Sequence, residues 1–183
     1  MNLPDSTAQP LTLHTRDGYP LAALRYPAQG PRRGNLIVAG ATGVPQLFYK
    51  AFAEFAAAQG YTTLTLDYRG MGRSGAAAGG ATASMRDWML ADLPAALDAV
   101  LARAGRDGGQ GAARLPVLWV GHSLGGHALP LQPRLHEVDA AIGVGAQLPS
   151  FSRWPAGLGR LGARFFFRQW LPLCVRAFGR LPG

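Results

Sequence analysis

Apolar and polar residues alternate in short blocks along this chain, and the period of the blocks switches between that of a strand and that of a helix. Residues 11–15, Leu-Thr-Leu-His-Thr, alternate, and residues 21–26 form a second extended run. Asp17-Gly18 between them is a hairpin turn signal. Residues 35–39 are a short apolar run that ends at Gly40, as a buried strand would. Residues 46–59 show helical spacing at Phe48, Ala51, Phe52 and Phe55 and close at Gly60. Residues 61–66 are rich in β-formers and read as the next strand, followed by a glycine-rich loop over 67–80. Ser84 and Asp87 make a helix-start pair. The helix after them carries Met89, Leu93, Leu97 and Val100 on one face, and Pro94 is expected to kink or restart it. Residues 105–114 are a flexible connection. The apolar run 116–120 then reads as a strand, a helix follows, and residues 138–144 read as a further strand.

The predicted order is therefore a β-hairpin followed by β-α-β-α-β-α-β. Such alternation predicts an α/β fold: a mostly parallel central sheet with helices on both faces. Residues 1–148 read as one core. After Leu148 the pattern changes. Residues 149–183 are basic, aromatic and helical in pattern, with no further strand, and Phe165, Phe166, Phe167 and Trp170 need a surface to pack against.

Composition adds modest constraints. A chain of 183 residues with 48% hydrophobic content is long enough to bury a core. The formal net charge is +8, of which +6 comes from Arg153, Arg160, Arg164, Arg168, Arg176 and Arg180, with no acid among residues 150–183. That basic segment is a candidate for contact with a membrane surface or for a helix covering a site, and the second reading is preferred. No nucleic-acid-binding signature accompanies it. Cys174 is the only cysteine, so no disulfide can form within the chain, which favours a reducing, cytoplasmic compartment. Residues 1–10 lack the basic-then-apolar order of a signal peptide. Residues 161–175 are interrupted by Arg164, Arg168 and Pro172 and fall short of a spanning helix.

The chemistry concentrates in Gly121-His-Ser-Leu-Gly125, followed by Gly126 and preceded by the apolar strand. A strand, a G-x-S-x-G turn and a helix lift one serine hydroxyl above the sheet, and glycines flank it where side chains would collide. Ser123 is thus the candidate nucleophile, and it needs an adjacent base. His122 is next in sequence, but adjacency in a tight turn points the two side chains apart. His127 lies one helical turn on and is a weak candidate. His14 in the first hairpin and His136 before the last strand lie away from the carboxyl ends of the central strands, where α/β sites form. Asp139 opens its strand, at the edge opposite Ser123. Asp67-x-x-Gly70-x-Gly72 lacks the lysine and the spacing of a phosphate loop. No cofactor and no metal is called for.

Three segments in order, residues 39–45 (Ala-Gly-Ala-Thr-Gly-Val-Pro), residues 67–74 (Asp-Tyr-Arg-Gly-Met-Gly-Arg-Ser) and residues 121–126, resemble the α/β-hydrolase fold family, over roughly residues 11–183. The first two together are similar to bacterial hydrolases of unassigned substrate. The resemblance implies a serine hydrolase acting on an ester or similar acyl substrate. It also implies an oxyanion hole formed by the backbone N–H of Leu124 and that of Ala41, which follows Gly40, with Thr42 as the neighbour that could replace Ala41. Asp67 is implied to anchor its loop, through Arg69 or the backbone of Gly70. Residues 149–183 look like the start of a helical cap. The family order places an acid and a histidine after the nucleophile, yet no histidine follows His136 and no acid follows Asp139. The expectation is an incomplete hydrolase, with its last strands missing, inactive alone and prone to self-association. The rival is a non-catalytic binding module on the same scaffold.

Overall fold

The opening alternation becomes an antiparallel hairpin. In the computed structural model, which describes residues 8–75, 83–107, 114–146, 157–165 and 169, β1 (Gln9–His14) pairs with β2 (Pro20–Tyr26), Leu13 opposite Leu21. Gly18 takes the turn at φ 80°, and the Tyr19 N–H donates to Thr15 Oγ1 at 2.9 Å. The expectations for Phe166, Phe167, Trp170 and Cys174 lie outside the described residues.

Four further strands follow: β3 (Gly34–Ala39), β4 (Tyr61–Leu66), β5 (Val117–His122) and β6 (Ala140–Val144). The helices are α1 (Lys50–Ala58), α2 (Met85–Asp87), α3 (Leu93–Asp107), α4 (Leu124–Ala128) and α5 (Leu158–Phe165). The six strands form one sheet in the order β1-β2-β4-β3-β5-β6. β2 and β4 run antiparallel, while β4-β3-β5-β6 is parallel throughout. The predicted α/β class and mostly parallel sheet are what the chain forms.

Both faces are covered. On one, Leu93, Leu97 and Val100 of α3 pack with Ile37, Val117 and Trp119 of the central strands. On the other, Tyr49 and Ala56 pack with Leu36 and Val38, and Ala53 and Ala57 pack with Leu24 and Tyr26. The phenylalanine stripe that gave α1 its helical period is not the face that packs: Phe48, Phe52 and Phe55 are exposed. Small residues face the sheet instead, because alanine lets the helix approach the strands closely.

Ser84 and Asp87 form the expected capping box, each reaching the other's backbone N–H. The helix widens to a π segment at Trp88–Asp92 and restarts as α3 one residue before Pro94, as a residue lacking an N–H and clashing with the preceding turn requires. The chain divides into two compact units, Met1–Gln147 and Leu148–Gly183. Of the second, α5 is the described helix. No helix among the described residues is long and apolar enough to cross a membrane.

Candidate active site

The turn after β5 carries an unusual backbone. Ser123 has φ 49° and ψ −108°, and it is the one described non-glycine residue at positive φ. An L side chain held in that region costs on the order of 1–3 kcal/mol and persists only where its surroundings impose it. Those surroundings are visible. The Ser123 N–H donates to the Val144 carbonyl of β6 at 2.9 Å, and its carbonyl accepts from Gly126 and His127 as α4 begins. Trp119 Nε1 donates to the Gly125 carbonyl at 3.0 Å, clamping the helix start onto the strand.

The glycines have no alternative here. A Cβ on Gly121 would lie 2.5 Å from Gly126 N, and one on Gly126 would lie 2.5 Å from Ala146 Cβ. Ser123 therefore sits on a strand-to-helix turn as the sequence predicts. Leu124 is the first residue of α4, so its N–H has no acceptor within the helix.

The parallel register sets Ala39 beside Gly121, which brings the loop after β3 to the elbow. The Ala41 N–H donates to the Tyr49 hydroxyl at 2.8 Å, inside the protein. Tyr49 Oη lies 3.0 Å from His122 Nδ1. Burial pushes the Tyr49 phenol above its ordinary pKa, partly offset by the Ala41 bond. His122 is thus occupied by Tyr49. His127 Nε2 is buried without a hydrogen-bond partner. His14 ends β1, an outer strand, and His136 is exposed in the turn before β6. No histidine side chain is hydrogen-bonded to the Ser123 hydroxyl among the described residues.

Asp67 does anchor its loop, but not through Arg69 or Gly70. It accepts from the Gln46 N–H at 2.8 Å, Gln46 Nε2 at 2.9 Å and the Arg73 N–H at 3.0 Å. Gly72 stands so close that a Cβ would lie 2.5 Å from the carboxylate. Arg69 turns the other way, to buried Asp92 at 2.7 Å and to Asp17 in the first hairpin at 2.7 Å. Hydrogen bonds from Arg69 and Thr15 hold the Asp17 carboxyl well below its usual range, whereas burial raises that of Asp92 against its bonds from Arg69. Asp139, at the foot of β6, accepts from the Val117 N–H at 2.7 Å and pairs with Arg114, away from Ser123.

Tyr49, Gln46 and Asp92 were not singled out by the sequence. A signal for Tyr49 existed: Tyr49, Ala53, Ala56 and Ala57 repeat at i, i+4, i+7 and i+8 and mark the packing face of α1.

A sheet of this order, with a serine forced into positive φ between a strand and a helix, defines an α/β-hydrolase fold. The sequence model described as serine aminopeptidase, S33 (Hydrolase_4), matches residues 31–177, and the chain belongs to that family. No curated protein matches the sequence. Among solved structures, a soluble variant of monoglyceride lipase from Saccharomyces cerevisiae is 18% identical at a TM-score of 0.67, covering 99% of this chain and 55% of that one. An esterase from Pyrococcus furiosus is 17% identical at 0.67, covering 95% and 61%. An α/β serine hydrolase without a lid from Xanthomonas campestris is 19% identical at 0.61, covering 85% and 67%. The chain spans somewhat over half the length of the first of these.

Proposed function

We propose that the chain carries the nucleophile and oxyanion donors of a serine hydrolase acting on esters or similar small acyl substrates. The observation that carries this reading is the strained Ser123 backbone, imposed by three glycines that leave no room for side chains. The esterase and lipase among the structural neighbours support the substrate class. Ser123 Oγ attacks the ester carbonyl and the carbonyl electron pair moves to oxygen. The Leu124 N–H and an N–H of the loop 40–43, with Ala41 as its candidate from the sequence, receive that charge. A base takes the hydroxyl proton, the alcohol leaves with a proton, and water then hydrolyses the acyl-serine.

Residues 149–183 are read as the start of a cap, and a lone cysteine suits the cytoplasm. Among the described residues no side-chain base is bonded to the Ser123 hydroxyl, and loss of the base from a serine triad costs on the order of 10⁶ in kcat. Residues 1–183 alone should therefore turn over p-nitrophenyl acetate negligibly. The serine itself is tested with phenylmethanesulfonyl fluoride in imidazole buffer, imidazole supplying the base that takes the hydroxyl proton, and mass spectrometry. Modification at Ser123, absent in Ser123→Ala, is expected. A chain left unmodified at Ser123 overturns the reading and favours the non-catalytic binding module, which rests on the absence of a histidine side chain bonded to the Ser123 hydroxyl among the described residues.

A further inference from the structure

Both backbone polar groups of Ala41 are already engaged. Its N–H donates into the interior, to the Tyr49 hydroxyl. Its carbonyl accepts from the Val44 N–H at 3.3 Å, closing a four-residue turn in which Gly43 takes φ 77°. Thr42 is next to Gly43 at the tip of that turn. Thr42 is exposed, whereas Ala41 is 6% exposed, and the Thr42 N–H has no protein acceptor among the described residues. An amide bonded to a buried phenol has no proton left for a substrate oxygen arriving from solvent; the next amide has.

Tyr49 is held where it can impose this. Its ring lies against Gly40, where a Cβ would come within 3.0 Å of Cε2. It packs with Leu36, Val38 and Ala56 and stands edge-on to Phe48 and His122, with ring centroids 5.2 and 6.0 Å away. A hydroxyl that accepts from Ala41 still has its own proton to give, and the neighbour at 3.0 Å is His122 Nδ1. The Tyr49 hydroxyl thus bridges Ala41 N–H and His122 Nδ1 and ties the loop after β3 to the residue preceding Ser123. With Tyr49 donating, neutral His122 carries its proton at Nε2.

We propose that Tyr49 is the positioning residue of the oxyanion site: it turns the Ala41 amide inward and leaves the Thr42 N–H, with that of Leu124, as the pair of donors facing the acyl oxygen. This rests on Ser123 being the nucleophile.

The test is ¹H–¹⁵N NMR of the full 1–183 chain before and after imidazole-assisted reaction with phenylmethanesulfonyl fluoride, whose sulfonyl oxygen stands in for the oxyanion once fluoride has left. The amides of Thr42 and Leu124 should move downfield more than that of Ala41. In the unreacted protein Ala41 should exchange slowly with solvent and His122 should show an unprotonated Nδ1. In Tyr49→Phe the Ala41 protection should be lost and the His122 nitrogens should shift towards a mixture of tautomers, a signature that a merely space-filling ring would not change. A larger shift at Ala41 than at Thr42 in protein modified at Ser123 overturns the proposal and leaves the nucleophile standing. Absence of modification at Ser123 overturns both. The His122 measurement needs no variant, and a protonated Nδ1 in the wild type would sink the proposed donation from Tyr49 even if Tyr49→Phe failed to fold.

Discussion

Gly125 lies against the backbone of Ala39, so that a Cβ added to it would fall within 2.6 Å of the Ala39 side chain and closer still to its carbonyl oxygen. The first turn of α4 and the end of β3 therefore touch backbone to backbone, with no flexible side chain between them to give way. Gly125→Ala should lower stability by about 3 kcal/mol, the upper end of what overpacking costs. A urea titration followed by circular dichroism reads this directly; a midpoint within error of the wild type would contradict it.

Ser123 offers the opposite experiment. Glycine adopts positive φ without penalty, and the relief of about 1–3 kcal/mol exceeds the roughly 0.5–1 kcal/mol of entropy that glycine loses on folding. Ser123→Gly should thus gain about 1 kcal/mol of stability while losing all reaction with phenylmethanesulfonyl fluoride. A lower unfolding midpoint than the wild type would show that the serine is not strained.

Arg69 is the only described cation in contact with the fully buried Asp92 carboxylate. Removing one member of such a pair leaves a charge uncompensated, at a cost of about 3–5 kcal/mol. Arg69→Ala should show that loss at neutral pH. Asp92 already has its folded pKa raised by burial, so its destabilising ionisation sets in as pH rises through that value. The deficit of Arg69→Ala should accordingly shrink on acidification into the carboxylate range. A deficit that grows as pH falls would reverse the assigned sign.

Asp17 titrates in the other direction. Its side chain is 55% exposed, so solvent limits the pair with Arg69 to about 1 kcal/mol at most. Its folded pKa is depressed, so the contribution is complete above the ordinary value of 3.8 and is lost as pH falls below it. The stability difference between wild type and Asp17→Asn should be constant from pH 7 to pH 5 and close in stronger acid. A difference that persists there would mean the pairing does not depend on the charge.

Among the described residues β6 is the last strand of the sheet, and all five of its residues are exposed, Ile142 at 63% and Val144 at 50%. An uncharged edge strand of this kind invites pairing with another chain. Residues 1–183 should self-associate in light scattering, and Ile142→Lys should reduce the apparent mass. A monodisperse monomer at tens of micromolar, on the order of the concentrations at which exposed edges aggregate, would count against this.

The elbow and the succession of strands along the chain were legible because each depends on local signals: apolar runs of strand length, and glycines at fixed offsets from one serine. The partners of Asp67 were not. Gln46 lies twenty-one residues away, and nothing in its neighbourhood distinguishes it from a surface glutamine. Arg69 likewise reaches Asp17 and Asp92 across the fold, so its proximity to Asp67 in sequence misleads. In α1 the conspicuous phenylalanines fixed the period but hid the packing face, because the alanines opposite them are unremarkable singly and significant only in register. Tyr49 was passed over for that reason, although its hydroxyl connects the two loops of the site.

The bond from the Ser123 N–H to the Val144 carbonyl crosses from the elbow to the outermost strand. The nucleophile's backbone is therefore tied to the outermost described strand on its side of the sheet, so a shift of β6 at Val144 is passed to the serine. A chain that pairs with the outer edge of β6 steadies that strand. By reciprocity, whatever occupies the elbow and requires its geometry strengthens pairing at the edge by the same factor.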